Sequence, residues 1–235
     1  MSRAAATDPI HLAGQRHRSD RDRVLVKICG ITRREDAEAA ADAGADALGF
    51  VFWRDSPRFI DPYRARAIVR GLPAFVTTVG VFVNQPAEYV AGVASLVPLA
   101  AVQLHGDEPV AYAGRVGRPV IKALTLDAAL GAEMMDWPAN VTILLDAHDR
   151  VRRGGTGRAI DWTSAATIAA KRGVLLAGGL NPDNAAEAVD RVRPFGIDVS
   201  SGIERSPGVK DHERMRALFD ALARRSKVSF HDDER

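Results

Sequence analysis

The chain has 235 residues, of which 46% are hydrophobic and 26% charged, with a formal net charge of +2. That size and composition suit one large α/β domain or two small ones with a true core, and no run approaches the roughly 18 consecutive apolar residues of a membrane span. Residues 1–23 hold Arg3, Arg16, Arg18, Arg21 and Arg23 against Asp8, Asp20 and Asp22, so they carry the whole net charge. The remainder is neutral, which gives no expectation of nucleic-acid binding. Cys29 is the single cysteine, which excludes an internal disulfide and a cysteine-rich zinc site. With no apolar signal core near the N-terminus, a reducing, cytoplasmic setting is expected.

Residues 1–23 show no apolar period and are expected to form a disordered N-terminal arm. Short β-branched runs then alternate with alanine-rich stretches of 3.6-residue period. Val24–Cys29 reads as the first strand. Gly30 turns the chain, and Thr32 with Glu35 and Asp36 opens a capped helix over Arg33–Ala43 that Gly44 ends. Ala47–Phe52 is the second strand, followed by a polar loop, Trp53–Asp61, and a helix begun by Pro62. Val76–Phe82 is the third, with a helix over Pro86–Ser95; Ala100–Leu104 is the fourth, with the loop His105-Gly106-Asp107. Val120–Ala123 is the fifth, with a helix near Leu126–Met135; Val141–Asp146 is the sixth. A Gly/Arg-rich loop, Ala147–Ile160, leads to a helix from Asp161. Val174–Ala177 is the seventh strand, then Gly178-Gly179 and a helix begun by Asn181-Pro182; Gly196–Val199 is the eighth, then Ser200-Ser201-Gly202. A last helix spans about Asp211–Arg225, and 226–235 is expected to be a disordered tail. The strands are apolar throughout, as parallel strands covered by helices are. Eight such units in 24–225 predict a single-domain (β/α)8 TIM barrel; a doubly wound open sheet is the rival, and the GxGxxG turn it normally carries is absent.

In a barrel the C-terminal strand ends share one rim, where catalysis is built. Here they bring Cys29, the loop after Phe52, Asn84, Gln103 with His105, Lys122, Asp146 and the glycine turns together. Gly178-Gly179 and the Ser201-Gly202 turn allow close backbone approach to an anion, as in the phosphate sites that follow strands seven and eight of this fold. Cys29 could be a base if positive charge such as Lys27 or Arg58 lowered its pKa, or simply a small buried hydrophobe. Asp146 could be an acid at the pocket mouth or a cap. Arg58 could hold a carboxylate with its guanidinium fork or be an exposed loop arginine. Gly154-Gly155-Thr156-Gly157 lacks the Lys-Ser/Thr of a P-loop and reads better as a lid.

Over 24–225 the chain resembles the phosphoribosylanthranilate isomerases of tryptophan biosynthesis. The resemblance runs through KICGIT (27–32), GADALGFVF (44–52), SPRFI (56–60), VGVFVN (79–84), VQLHGDE (102–108), LLD (144–146), GGTG (154–157), AGGLNPDN (177–184) and DVSSGIE (198–204). Ala177 stands where many relatives carry serine. The resemblance implies an Amadori rearrangement of N-(5-phosphoribosyl)anthranilate. It implies Cys29 as general base and Asp146 as general acid with a raised pKa. Arg58 would bind the anthranilate carboxylate, with Gln103, His105 and Asp198 also on the substrate, and Gly178, Gly179, Ser201 and Gly202 would hold the phosphate. It implies a small-molecule substrate, no metal or redox cofactor, and a monomer or homodimer. Two alternatives are a related sugar-phosphate barrel with histidine-pathway activity, which carries an aspartate where Cys29 stands, and a non-catalytic phosphate-binding barrel.

Overall fold

The computed structural model describes residues 23–130, 133–146 and 161–232. Eight parallel strands close a barrel in chain order: β1 (Leu25–Cys29), β2 (Ala47–Val51), β3 (Thr77–Phe82), β4 (Ala101–Leu104), β5 (Val120–Thr125), β6 (Thr142–Asp146), β7 (Val174–Ala177) and β8 (Gly196–Val199). The β8–β1 ladder, with Lys27 opposite Asp198, completes the ring and excludes the open doubly wound sheet. Around it lie α1 (Arg34–Ala43), α2 (Pro62–Val69), α3 (Ala87–Leu96), α4 (Leu126–Leu130), α5 (Glu133–Asp136), α6 (Trp162–Lys171), α7 (Ala185–Val192) and α8 (His212–Asp232). Among the described residues no helix is long and apolar enough to cross a membrane.

Local chemistry explains several helix ends. Asp61 caps α2 by accepting from the N–H groups of Tyr63 and Arg64, and Pro62 occupies the first turn, where its missing N–H costs nothing. Gly44 ends α1 at φ 101°, a left-handed conformation that suits glycine.

Five local expectations are corrected. Thr32 does not cap α1: Arg33 holds the cap position without a side-chain bond, and the Thr32 hydroxyl donates to Gly208 O. A 3₁₀ helix, Val110–Arg115, fills the fourth connection. The helix expected over 126–135 is divided into α4 and α5. A hairpin of β9 (Glu204–Ser206) and β10 (Val209–Lys210) follows β8. The last helix runs on to Asp232, past Arg225. The expected arm over 1–22, the loop 147–160 with its glycine-rich lid, and 233–235 lie outside the described residues.

Strand alternation sorts the side chains into two layers. Ile28, Phe50, Phe82, Leu104, Leu145 and Leu176 face outward into the main core beneath the helices. Two separate small clusters fill the barrel itself: Ala123, Leu144, Leu175 and Ala177 in one, Cys29, Val51 and Val81 in the other. By the same alternation Lys27, Gln103, Thr125, Asp146 and Asp198 point inward. Lys122 does not. It lies outside the barrel, its Nζ over the Trp137 ring and bonded to Glu108 Oε2 (2.9 Å) and Gly106 O (2.6 Å).

Glu108 also accepts from the N–H groups of Asn84 (2.8 Å) and Gly106 (3.0 Å), so one buried carboxylate ties the loops after β3 and β4 to β5. Glu108→Ala strands a buried ammonium and two backbone donors. It is expected to lower stability by about 3–5 kcal/mol, read as a fall in the urea midpoint at unchanged m-value.

Candidate active site

β1 brings two inward side chains, one above the other. Lys27 Nζ donates to Asp198 Oδ1 at 2.8 Å, and both side chains are buried. Cys29, one layer higher, lies opposite Gly49 on β2. A Cβ at Gly49 would fall 2.8 Å from Cys29 Sγ and 3.0 Å from Lys27 Nζ, so the missing side chain makes the space both groups occupy. Cys29 is only 8% exposed. Burial pushes its thiol up; Lys27 and Lys210 pull down, Asp198 pushes up, and the pKa ends above the ordinary value. The condition set for Cys29, a pKa lowered by Lys27 or Arg58, is not met: desolvation, with the Asp198 charge, outweighs the lysines. Lys27 is opposed by burial but is held above its usual value by Asp198 and Cys29, so it is an ammonium.

Arg58, the other cation expected beside the thiol, is bound elsewhere. Its side chain crosses Gly30, where a Cβ would meet Arg58 Cδ at 2.6 Å. Its Nε lies 3.0 and 3.1 Å from the two Glu204 oxygens, and one Nη lies 2.7 Å from Oε2. This fork fixes the guanidinium at the rim with the remaining Nη donors unused by Glu204. Glu204 is shared with Lys210, whose Nζ contacts Glu204 Oε1 (2.7 Å), Cys29 O (2.6 Å) and Ser200 O (3.3 Å). Burial pushes the Glu204 carboxyl up, but hydrogen bonds from Arg58 and Lys210 hold it below the ordinary range. Neither Glu204 nor Lys210 was singled out from the sequence. The Pro207-Gly208 pair between them is a turn signal that could have revealed the hairpin.

Asp146 ends β6, opposite Thr125 and Ala177. Its Oδ2 lies 3.8 Å from His105 Nε2, and His105 Nδ1 lies 2.8 Å from Gln103 Nε2. Gln103 Oε1 is buried and has no hydrogen-bond partner among the described residues. The glycine turns meet after β7 and β8. Gly178 and Gly179 both need positive φ (101° and 68°), and a Cβ on Gly202 would sit 1.9 Å from Leu180 O. Asn181 and Asn184 amides donate to Gly179 O and brace the turn.

Around the rim Cys29 and Asp146 are thus separated by β7 and β8, with the two glycine turns between them. The rim carries a thiol, a carboxyl and two glycine turns side by side. Among the described residues no three His, Cys, Asp or Glu side chains gather closely enough to hold a metal ion.

Residues 26–221 match the family model described as N-(5'phosphoribosyl)anthranilate (PRA) isomerase. An N-(5'-phosphoribosyl)anthranilate isomerase of Citrifermentans bemidjiense is 50% identical over 195 residues, covering 83% of this chain and 94% of that one. The phosphoribosyl anthranilate isomerase of Thermotoga maritima shares the fold with TM-score 0.77 and 43% identity, covering 86% of this chain and 99% of that one. A phosphoribosyl anthranilate isomerase solved with reduced 1-(o-carboxyphenylamino)-1-deoxyribulose 5-phosphate gives TM-score 0.74 at 41% identity, covering 86% and 99%. A family match across the whole barrel, joined to a rim of this composition, leads to one conclusion: the chain belongs to the phosphoribosylanthranilate isomerase family.

Proposed function

We propose that this chain isomerises N-(5'-phosphoribosyl)anthranilate to 1-(2-carboxyphenylamino)-1-deoxyribulose 5-phosphate in tryptophan biosynthesis, with Cys29 as general base and Asp146 as general acid. The observation that carries the assignment of roles is that both side chains point inward at the rim, on β1 and β6, with the glycine turns between them. Asp146 gives its proton to the ring oxygen as the C1–O bond breaks, and the anilino nitrogen lone pair forms the iminium. That iminium acidifies C2, whose proton passes to the Cys29 thiolate; the resulting enaminol tautomerises to the ketone. Each acid–base group contributes about 10²–10⁴-fold.

Orientation comes from both ends of the substrate. The backbone of Gly178, Gly179, Ser201 and Gly202 holds the phosphate. Arg58, fixed by Glu204, offers its remaining donors to the anthranilate carboxylate. The unpartnered Gln103 Oε1 accepts from a sugar hydroxyl, and His105 and Asp198 line the same space. A Thermotoga maritima relative is described as dimeric, which supports homodimer beside monomer as the working state proposed here, in the cytoplasm.

Loss of anthranilate-type fluorescence from freshly made phosphoribosylanthranilate tests the reaction, with the histidine-pathway substrate run alongside. Background turnover of both would leave a phosphate-binding barrel without chemistry. Cys29→Ala and Asp146→Asn are each expected to lower kcat by at least about 10²-fold with unchanged thermal unfolding; near-normal turnover in either removes it from the mechanism. Because burial holds the thiol above its ordinary value, kcat/KM is expected to rise from neutral into alkaline pH as thiolate accumulates.

Arg58→Ala is expected to raise KM about tenfold or more with a smaller effect on kcat, since it removes a charge-assisted anchor. Glu204→Gln should shift KM in the same direction, by releasing Arg58. It also carries a pH test. The Glu204 carboxyl lies below its ordinary value in the fold, so its ionisation stabilises the protein at neutral pH, and that contribution is lost as pH falls through the folded value. The glutamine variant should show a shallower loss of melting temperature on acidification.

A further inference from the structure

We propose that Lys27 is a positioning residue of the isomerisation: anchored by Asp198 across the β8–β1 ladder and given room by Gly49, its ammonium is the counter-charge of the Cys29 thiolate. The inference rests on the reading of Cys29 as the base. Three observations carry it. Lys27 and Cys29 are two residues apart on one strand and share its inward face, so the ammonium stands one layer beneath the sulfur. The void over Gly49 is bounded by both groups, at 2.8 Å from Sγ and 3.0 Å from Nζ. A lysine ammonium has three donors, and Asp198 Oδ1 takes one of them at 2.8 Å.

The other charges facing the thiol are committed elsewhere. Lys210 is spent on Cys29 O, Ser200 O and Glu204. Arg58 crosses Gly30 but is clamped by Glu204. Among the described residues Asp198 is the anion that opposes the thiolate, and Lys27 is the leading charge that favours it. Such a place in a barrel interior is ordinarily filled by Val, Ile or Leu, because burying an ammonium costs several kcal/mol. When the substrate proton reaches sulfur, Asp198 keeps the ammonium in place for the next cycle.

Cys29 is the chain's single cysteine, so alkylation by iodoacetamide across pH reads this site alone, without isomerase substrate. Lys27→Met is expected to raise the alkylation midpoint by about one pH unit, slowing alkylation about tenfold near neutrality, while Lys27→Arg keeps the wild-type midpoint. Asp198→Asn removes the opposing anion, so its midpoint should move down and alkylation quicken. The acid limb of kcat/KM should move in the same direction in each variant. A wild-type midpoint in Lys27→Met overturns the proposal. So does an equal loss of activity in Lys27→Met and Lys27→Arg with no shift of midpoint. If Lys27→Met does not fold, Lys27→Gln replaces it, and a wild-type midpoint in that variant overturns the proposal instead. Absence of isomerase activity in the unmodified protein would sink the assigned reaction while leaving the alkylation result readable.

Discussion

The structure depends on one buried ion pair at the place where the barrel closes. Lys27 and Asp198 face each other across β1 and β8, the first and last strands of the ring. Removing both charges from water costs several kcal/mol per ion before their attraction is counted. Elsewhere in the same interior Ala123, Leu144 and Leu175 are apolar, so apolar filling was open to this position too. What the pair adds is a fixed charge on the same inward strand face as the Cys29 thiol. Since Asp198 holds Lys27 above its ordinary value, the ammonium persists at neutral pH, and its contribution to stability is lost only as pH rises through that raised value.

The segment after β8 extends this polar core to the rim. Lys210 reaches back to Cys29 O and Glu204, and Glu204 holds Arg58. The backbone of Lys210 donates to Asp36, which also meets His212, and Thr32 donates to Gly208. The hairpin of β9 and β10 therefore joins three things: the strand end that carries the thiol, the loop arginine Arg58, and the helices α1 and α8. Contiguous hydrogen bonds connect all of them.

The places of several candidate site residues in the fold were legible in the sequence. The KICGIT, SPRFI and LLD stretches put Cys29, Arg58 and Asp146 on loops and strand ends because an apolar run that stops at a polar residue marks where a parallel strand leaves the core. The glycine pairs were legible for a similar reason, since positive φ at Gly178 and Gly179 demands that residue type. Thr32 was misread because a threonine before an alanine-rich helix is the usual cap, and nothing local announces that Gly208, far along the chain, will take its hydroxyl. Lys122 was misplaced because alternation within a uniformly apolar strand gives no sign of which parity faces inward.

By itself the sequence determined the architecture, eight apolar runs each followed by an amphipathic segment, and the kinds of groups available at the rim. Only the tertiary structure decided how those groups are charged and held. The Cys29 thiol is raised rather than lowered, because ring closure buries it beside Asp198, and that juxtaposition depends on contact between the two ends of the domain. Arg58 meets Glu204, and Lys27 is aimed at the thiol, for the same reason. Pairings between residues remote in the chain are set by strand register and desolvation, which local pattern does not encode.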